Sequence, residues 1–389
     1  MTEFIGSLYT YPWDLADEGL DVAMERFATT GCEEVMLTPC YHQSTYFLPH
    51  NPKRPVYCGE DGAIYFSPDL SRYDNTRMKP HVSKEVTDPE WFDRIVEGIG
   101  KHGLRLGTWV VYTFQANLTL KYPEFANHDA FGTPHRMRLS LGPKDVQEYM
   151  LALTREILDR FKPSILLIES LERRGMAVPP KRRAEMSARC QTLLTVCFNP
   201  GSVQIANAAG MDGEAFRNEV VDWLRPRLAR RATAEDELPA DDEWMVSAFD
   251  GRLKQYLDVQ RRNATDLWIQ VADLIHNSGA KLHSPLATES SALRDDLDPA
   301  INAHIDRALA GAVANADEVE ALKARIAPSG GVMASINKSG QSDAAPLTEE
   351  VAAAAKAGAM GAIFYNYGLL REEELGFIGE ALAHVRAGG

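Results

Sequence analysis

Residues 143–170 read PKDVQEYMLALTREILDRFKPSILLIES. Over Pro143–Phe161 the apolar residues fall at helical spacing, and Ser164–Ile168 (SILLI) is a short apolar run that ends on a carboxylate, Glu169. An amphipathic helix leading into a buried strand is part of a βαβ unit, and its repetition specifies a parallel sheet covered by helices. The alternation continues in both directions. Upstream, Phe4–Tyr9 reads as a first strand, followed by a helix over about 18–30 that Gly31 closes. Glu34–Thr38 is a second strand. A helix over Asp88–Gly100, capped by Asp88, precedes a third at Leu104–Val111. Downstream, strands are expected at Lys281–Ser284, near Ala314–Val319, at Gly331–Ile336 and at Gly361–Tyr365, with helices over Thr348–Ala357 and Glu372–Ala387. Eight such units without a compositional break predict an α/β chain folded as one (β/α)8 TIM barrel over residues 1–389. The rival, an open doubly wound sheet, wants a glycine-rich first turn that Tyr9–Leu15 (YTYPWDL) does not supply.

Long insertions are expected after strands two and four. Residues 39–84 contain VYCGEDGAIYF, which reads as a β-hairpin turning at Gly59–Gly62. Residues 170–255 hold loop and helix, with helices expected near 212–228 and 256–278 and a charged stretch, RRATAEDELPADDE, between them.

The 389 residues are 45% hydrophobic and 25% charged, enough to bury a large core. The formal charge of −14 repels phosphate backbones and anionic lipid, which argues against nucleic-acid and membrane partners. No apolar stretch approaches the roughly 20 residues that span a bilayer, and the opening residues lack a signal-peptide pattern. Five scattered cysteines suit reduced thiols, so a cytoplasmic location is expected. A homodimer is compatible with a barrel of this size.

Barrel chemistry sits at the C-terminal strand ends. The residues expected there are Tyr9, Tyr11, Trp13 and Asp14, then Tyr41 and His42, then Trp109 and Tyr112, then Glu169 and Glu172. His283, Asp317, Asn366 and Tyr367 complete the set. Aromatic faces with a few amides and carboxylates make an apolar-walled pocket suited to a sugar. Tyr9, Trp13, Tyr41, His42, Trp109, Tyr112, Asn366 and Tyr367 are therefore expected to bind substrate, and Glu169, Asp317 and His283 to carry the chemistry. Helix capping is the favoured reading of Asp14 and accounts equally well for Asp317. No nucleotide, zinc-protease or serine-hydrolase motif occurs, so no cofactor and no resident metal are expected.

The segment around Glu169 resembles the strand-four unit of glycoside-hydrolase-like barrels related to α-L-fucosidases and α-galactosidases. The resemblance rests on Pro143, Val146, Tyr149 and Glu169, on Tyr-Pro-Trp-Asp in the first loop, on residues 30–42 (TGCEEVMLTPCYH), and on 362–368 (AIFYNYG). It implies a glycosidase acting on a small glycoside or oligosaccharide, with Glu169 as nucleophile or acid/base. Asp317, Glu172 or Glu289 would complete a carboxylate pair. Such a pair stands about 5–5.5 Å apart in retaining enzymes and roughly 6.5–9.5 Å in inverting ones. Strand seven departs from the large glycosidase group by ending in Ile-Asn-Lys (336–338) without a carboxylate. Two alternatives stand beside this reading: a metal-dependent sugar isomerase, epimerase or lyase using Glu169, His283 and Asp317, and a non-catalytic sugar-binding barrel.

Overall fold

The computed structural model describes residues 4–173, 183–231, 233, 238–285, 296–311, 315–337 and 339–388. Eight parallel strands form a closed barrel: β1 (Ile5–Thr10), β2 (Glu34–Tyr41), β3 (Arg105–Val111), β4 (Ile165–Glu169), β5 (Lys281–Ser284), β6 (Arg307–Ala310), β7 (Gly331–Ile336) and β8 (Gly361–Phe364). β1 pairs with both β2 and β8, which closes the sheet and leaves it no free edge. The covering helices include α1 (Leu20–Thr29), α2 (Trp91–Lys101), α3 (Lys144–Phe161), α4 (Arg252–Asn277), α5 (Ala316–Lys323), α6 (Ala345–Lys356) and α7 (Glu372–Arg386). Gly31, at φ 63°, turns the chain from α1 towards β2. Glu90, rather than Asp88, stands at the N-cap of α2, while Asp88 accepts from the Glu90 N–H in the turn before it.

The sixth strand differs from the expectation. It is Arg307–Ala310, and residues 315–319 of the expected strand open α5 instead, with the Asn315 side chain accepting from the Glu318 N–H as its N-cap. An asparagine cap with Asp317 and Glu318 in the first turn is a helix start. The true strand, RALA, is short and opens on an arginine.

That arginine explains itself inside the barrel. Arg307 Nη1 and Nη2 donate to Glu34 Oε2 and Oε1 at 2.8 and 3.1 Å, joining β6 to β2 across the interior. Ser7 Oγ on β1 donates to the same carboxylate at 2.5 Å, and Arg105 on β3 reaches it at 3.1 Å. Glu34 and Arg307 open their strands, so this buried network lies at the N-terminal end of the barrel, the end that serves stability. Above it the interior is packed by side chains. A Cβ on Gly107 would stand 2.2 Å from Met36 Sδ, so glycine there makes room for the methionine.

The hairpin expected within 56–66 does not form between its own arms. Val56–Cys58 pairs antiparallel with Thr45–Phe47, and Ala63–Ile64 pairs antiparallel with Cys40 and Tyr41 at the end of β2. The bare end of β2 offers Ala63–Ile64 a ladder, and Tyr57 sits opposite Tyr46 across the other pair. After β4, the helices Ala188–Leu194, Pro200–Ala208, Gly213–Leu228 and Asp242–Ser247 gather around a separate apolar cluster that includes Leu193, Phe198, Phe216 and Tyr256. α4 then returns the chain to β5.

Candidate active site

Side chains alternate along each strand between the barrel interior and the helix layer. Arg307 faces inward, so Leu309 does too. Tyr365, just past β8, packs against inward-facing Tyr9 and Trp109 at ring distances of 5.6 and 6.1 Å. Ser335 pairs with Ile363, two residues before Tyr365, and shares its face. Glu169, Leu309, Ser335 and Tyr365 are half-buried where the strand cores around them are buried. They mark the mouth of the barrel at its C-terminal end.

The mouth is walled by rings. Trp109 lies 4.7 Å from Tyr9 and 4.6 Å from Tyr41, and Tyr11 lies 5.7 Å from Trp109. The Trp109 ring is only 2% exposed, and its Nε1–H donates to Glu169 Oε2 at 2.5 Å. An indole N–H can only donate, so it holds one carboxylate oxygen as an acceptor and leaves Oε1 for another partner. Burial, helped by the neighbouring Glu169 charge, raises the pKa of the Tyr9 phenol, which stays neutral. Among the last residues of the eight strands, Glu169 is the one carboxylate.

Tyr9, Tyr41, Trp109 and Glu169 are thus brought together. His42 joins their rim: half-buried, it stacks on Tyr41 at 4.3 Å and faces Phe114 at 5.7 Å. Asp61, from the first insertion, accepts from the Ala116 N–H at 3.1 Å nearby. Burial raises its pKa, while that N–H and the His42 charge oppose the shift.

Four residues expected on the pocket wall pack elsewhere. Trp13 is fully buried in a short helix, Pro12–Glu18, stacked on Tyr11 and covered by Tyr46, Tyr57 and Tyr65. Tyr112 is three residues from inward-facing Trp109 and so takes the opposite face, where its hydroxyl bonds Thr154 on α3 at 2.8 Å. Tyr367 is buried against α1, donating to Glu18 at 2.7 Å. Asn366 is also buried; its Oδ1 accepts from the Gly368 N–H as a cap. Asp14 caps nothing. Tyr11 is the N-cap of its helix, and burial together with the Glu18 charge raises the Asp14 pKa well above normal.

The other carboxylate candidates do not reach Glu169 as strand-end neighbours. Asp317 is exposed in the first turn of α5. Glu172 is buried, 3.6 Å from the Arg138 guanidinium, which itself covers the Phe114 ring. Glu289 and Lys338 lie outside the described residues. His283 faces the interior, in register with Leu167 and Arg307, at 1% exposure. The metal-dependent alternative relied on Glu169, His283 and Asp317 converging. Among the described residues no group of three or more His, Cys, Asp or Glu is placed to hold a metal ion.

Burial, with the Arg307 charge beside it, pushes the His283 pKa down to about 3, so the ring is neutral at neutral pH. The unfolded chain takes up this proton near pH ~6.5. The folded state is therefore stabilised relative to the unfolded one above that value and loses the advantage as pH falls towards about 3. At about 1.4 kcal/mol per unit the acid limb amounts to several kcal/mol. Urea unfolding of His283→Leu between pH 7 and 4 is expected to show a clearly shallower acid loss than wild type. Equal slopes would remove His283 from the acid limb.

Missing from the sequence reading was Tyr365. Its signal was present in Gly361-Ala-Ile-Phe-Tyr, where alternation puts residues 361, 363 and 365 on one face.

No family model matches the sequence, and no curated protein matches it either. Solved structures do. α-L-Fucosidase isoenzyme 2 from Paenibacillus thiaminolyticus superimposes with a TM-score of 0.59 at 12% identity, over 99% of this chain and 49% of that one. The PgaB (BpsB) glycoside hydrolase domain from Bordetella bronchiseptica gives 0.53 at 12% identity, over 98% of each chain. β-Galactosidase from the psychrophilic Marinomonas ef1 gives 0.55 at 10% identity, over 98% of this chain and 59% of that one. The chain thus spans about half the length of the fucosidase chain. At these identities the likeness is one of fold. No helix among the described residues is long and apolar enough to cross a membrane.

Proposed function

We propose that the barrel mouth is the active site of a glycoside hydrolase acting on a small glycoside or oligosaccharide, with Glu169 as the nucleophile. The observation that carries the reading is the Trp109–Glu169 contact. A strand-end carboxylate stands half-exposed in an aromatic mouth, one oxygen held by the indole N–H and the other left for substrate. Tyr9, Tyr41 and Trp109 supply the apolar wall that packs on sugar C–H faces, and His42 supplies a polar group at the rim. The glycoside hydrolase structures that share the fold support the same reading by analogy of fold.

In this scheme Glu169 Oε1 attacks the anomeric carbon, the glycosidic C–O bond breaks, and water later releases the sugar from the glycosyl-enzyme. Sugar release from a panel of nitrophenyl glycosides and oligosaccharides, run in excess chelator, tests the proposal. Release of one sugar class, undiminished by chelator, is expected. Release that needs an added metal ion would turn the reading to the metal-dependent class, and no release from any member would overturn it.

A further inference from the structure

Retaining hydrolysis needs a second group to protonate the leaving oxygen. We propose that this group is the phenol of Tyr365, held at the mouth by the hydroxyls of Tyr11 and Tyr41. The inference rests on the hydrolase reading and deepens it.

Three hydroxyls meet at one point. Tyr11 Oη lies 2.7 Å from Tyr365 Oη, and Tyr41 Oη lies 3.3 Å from it. Tyr11 is fully buried, Tyr41 nearly so, and Tyr365 is half-exposed. A buried hydroxyl proton must find an acceptor, and the Tyr365 oxygen is within hydrogen-bond reach of both, with either partner of each pair able to donate. A phenol oxygen can accept twice, and when Tyr365 does so its own single proton is free to point away from the cluster, into the mouth. In the arrangement where both buried phenols donate to it, Tyr365 becomes a donor towards substrate.

The position fits the task. Tyr365 follows β8 and Glu169 ends β4, with Trp109 and Tyr9 between them. The indole that bonds Glu169 lies 6.1 Å, ring to ring, from Tyr365. The two groups thus stand on opposite walls of one mouth. In the first step the Tyr365 proton passes to the glycosidic oxygen as the C–O bond breaks and the Glu169–carbon bond forms. The charge left on the Tyr365 oxygen lies within reach of two hydroxyls that can turn their protons to it, an arrangement that stabilises developing charge. In the second step that oxygen takes a proton from the water attacking the anomeric carbon, Glu169 leaves as carboxylate, and the phenol is restored.

The test compares Tyr365→Phe, which keeps the ring and its packing, with Glu169→Gln on two aryl glycosides of the same sugar. One carries an activated leaving group such as 2,4-dinitrophenol and the other a poor one such as an unsubstituted phenol. General-acid help is worth roughly 10²–10⁴-fold where the leaving group needs a proton and little where it does not. Read as kcat/KM, which reports the first step and not the second-step base, Tyr365→Phe is expected to lose at least about a hundredfold on the poor leaving group and less than about threefold on the activated one. Tyr11→Phe is expected to show the same pattern at smaller size, because it removes one donor but not the acid. Glu169→Gln should lose on both substrates. Loss of kcat/KM by Tyr365→Phe on neither substrate, or equally on both, would overturn the proposal while leaving the hydrolase reading intact. Undiminished turnover by Glu169→Gln would overturn the reading itself and the acid with it.

Discussion

Glu169→Gln is expected to fold like wild type and to cleave glycosides at least about a hundredfold more slowly, a barrier increase of about 2.7 kcal/mol. The substitution is nearly isosteric. The amide oxygen can still accept the Trp109 N–H that now meets Oε2 at 2.5 Å, so the aromatic wall has no reason to move. What is lost is the negative oxygen that, in the proposed mechanism, attacks the anomeric carbon, and no amide replaces it. Initial rates beside wild type, with matched circular dichroism, are the measurement. A variant that keeps more than about a third of wild-type kcat/KM would mean that the strand-end carboxylate is not the reacting group.

The second large effect belongs to the other end of the barrel. Glu34→Ala is expected to destabilise the fold by about 3–5 kcal/mol, because breaking a buried pair leaves a charge without its partner. Arg307 makes two bonds to Glu34 at 2.8 and 3.1 Å and would keep its charge inside the barrel after the carboxylate is gone. Replacing both, as Glu34→Leu with Arg307→Met, should recover much of the loss, since well-packed apolar substitutes for a buried pair are often neutral or better. Urea unfolding of the single and double variants measures both. A single variant within about 1 kcal/mol of wild type would show that the pair contributes little.

This network also explains where the sequence could not be read. β4 and β7 lie where their apolar runs place them, because nothing interrupts the local pattern. β6 escapes such a reading. Its first residue is a charged arginine, and the partner that allows it inside lies 273 positions away on β2. The first insertion is similar. Val56–Cys58 looks like one arm of a local hairpin, but it pairs with Thr45–Phe47, and the other arm finds the end of β2.

At the site, the strand end carrying Glu169 was legible because an apolar run stopping on a carboxylate is a local signal. Which aromatics face the mouth was legible only through alternation. Trp109 and Tyr9 sit on the inward face, whereas Tyr112 falls on the helix side and bonds Thr154. Trp13 lies beyond any such rule, since its burial depends on how Tyr46, Tyr57 and Tyr65 of the insertion dock upon it. Tyr365 became visible through the hydroxyls of Tyr11 and Tyr41, brought to it from 354 and 324 positions away.

The most direct test of Glu169 as nucleophile is to trap it. The protein is incubated with an activated 2-deoxy-2-fluoro glycoside of whichever sugar it releases, and the digested protein is read by mass spectrometry. The account predicts one glycosyl adduct per chain, on the peptide containing Glu169, with turnover lost in step. An adduct on a different carboxylate, or turnover lost with none on Glu169, would contradict it.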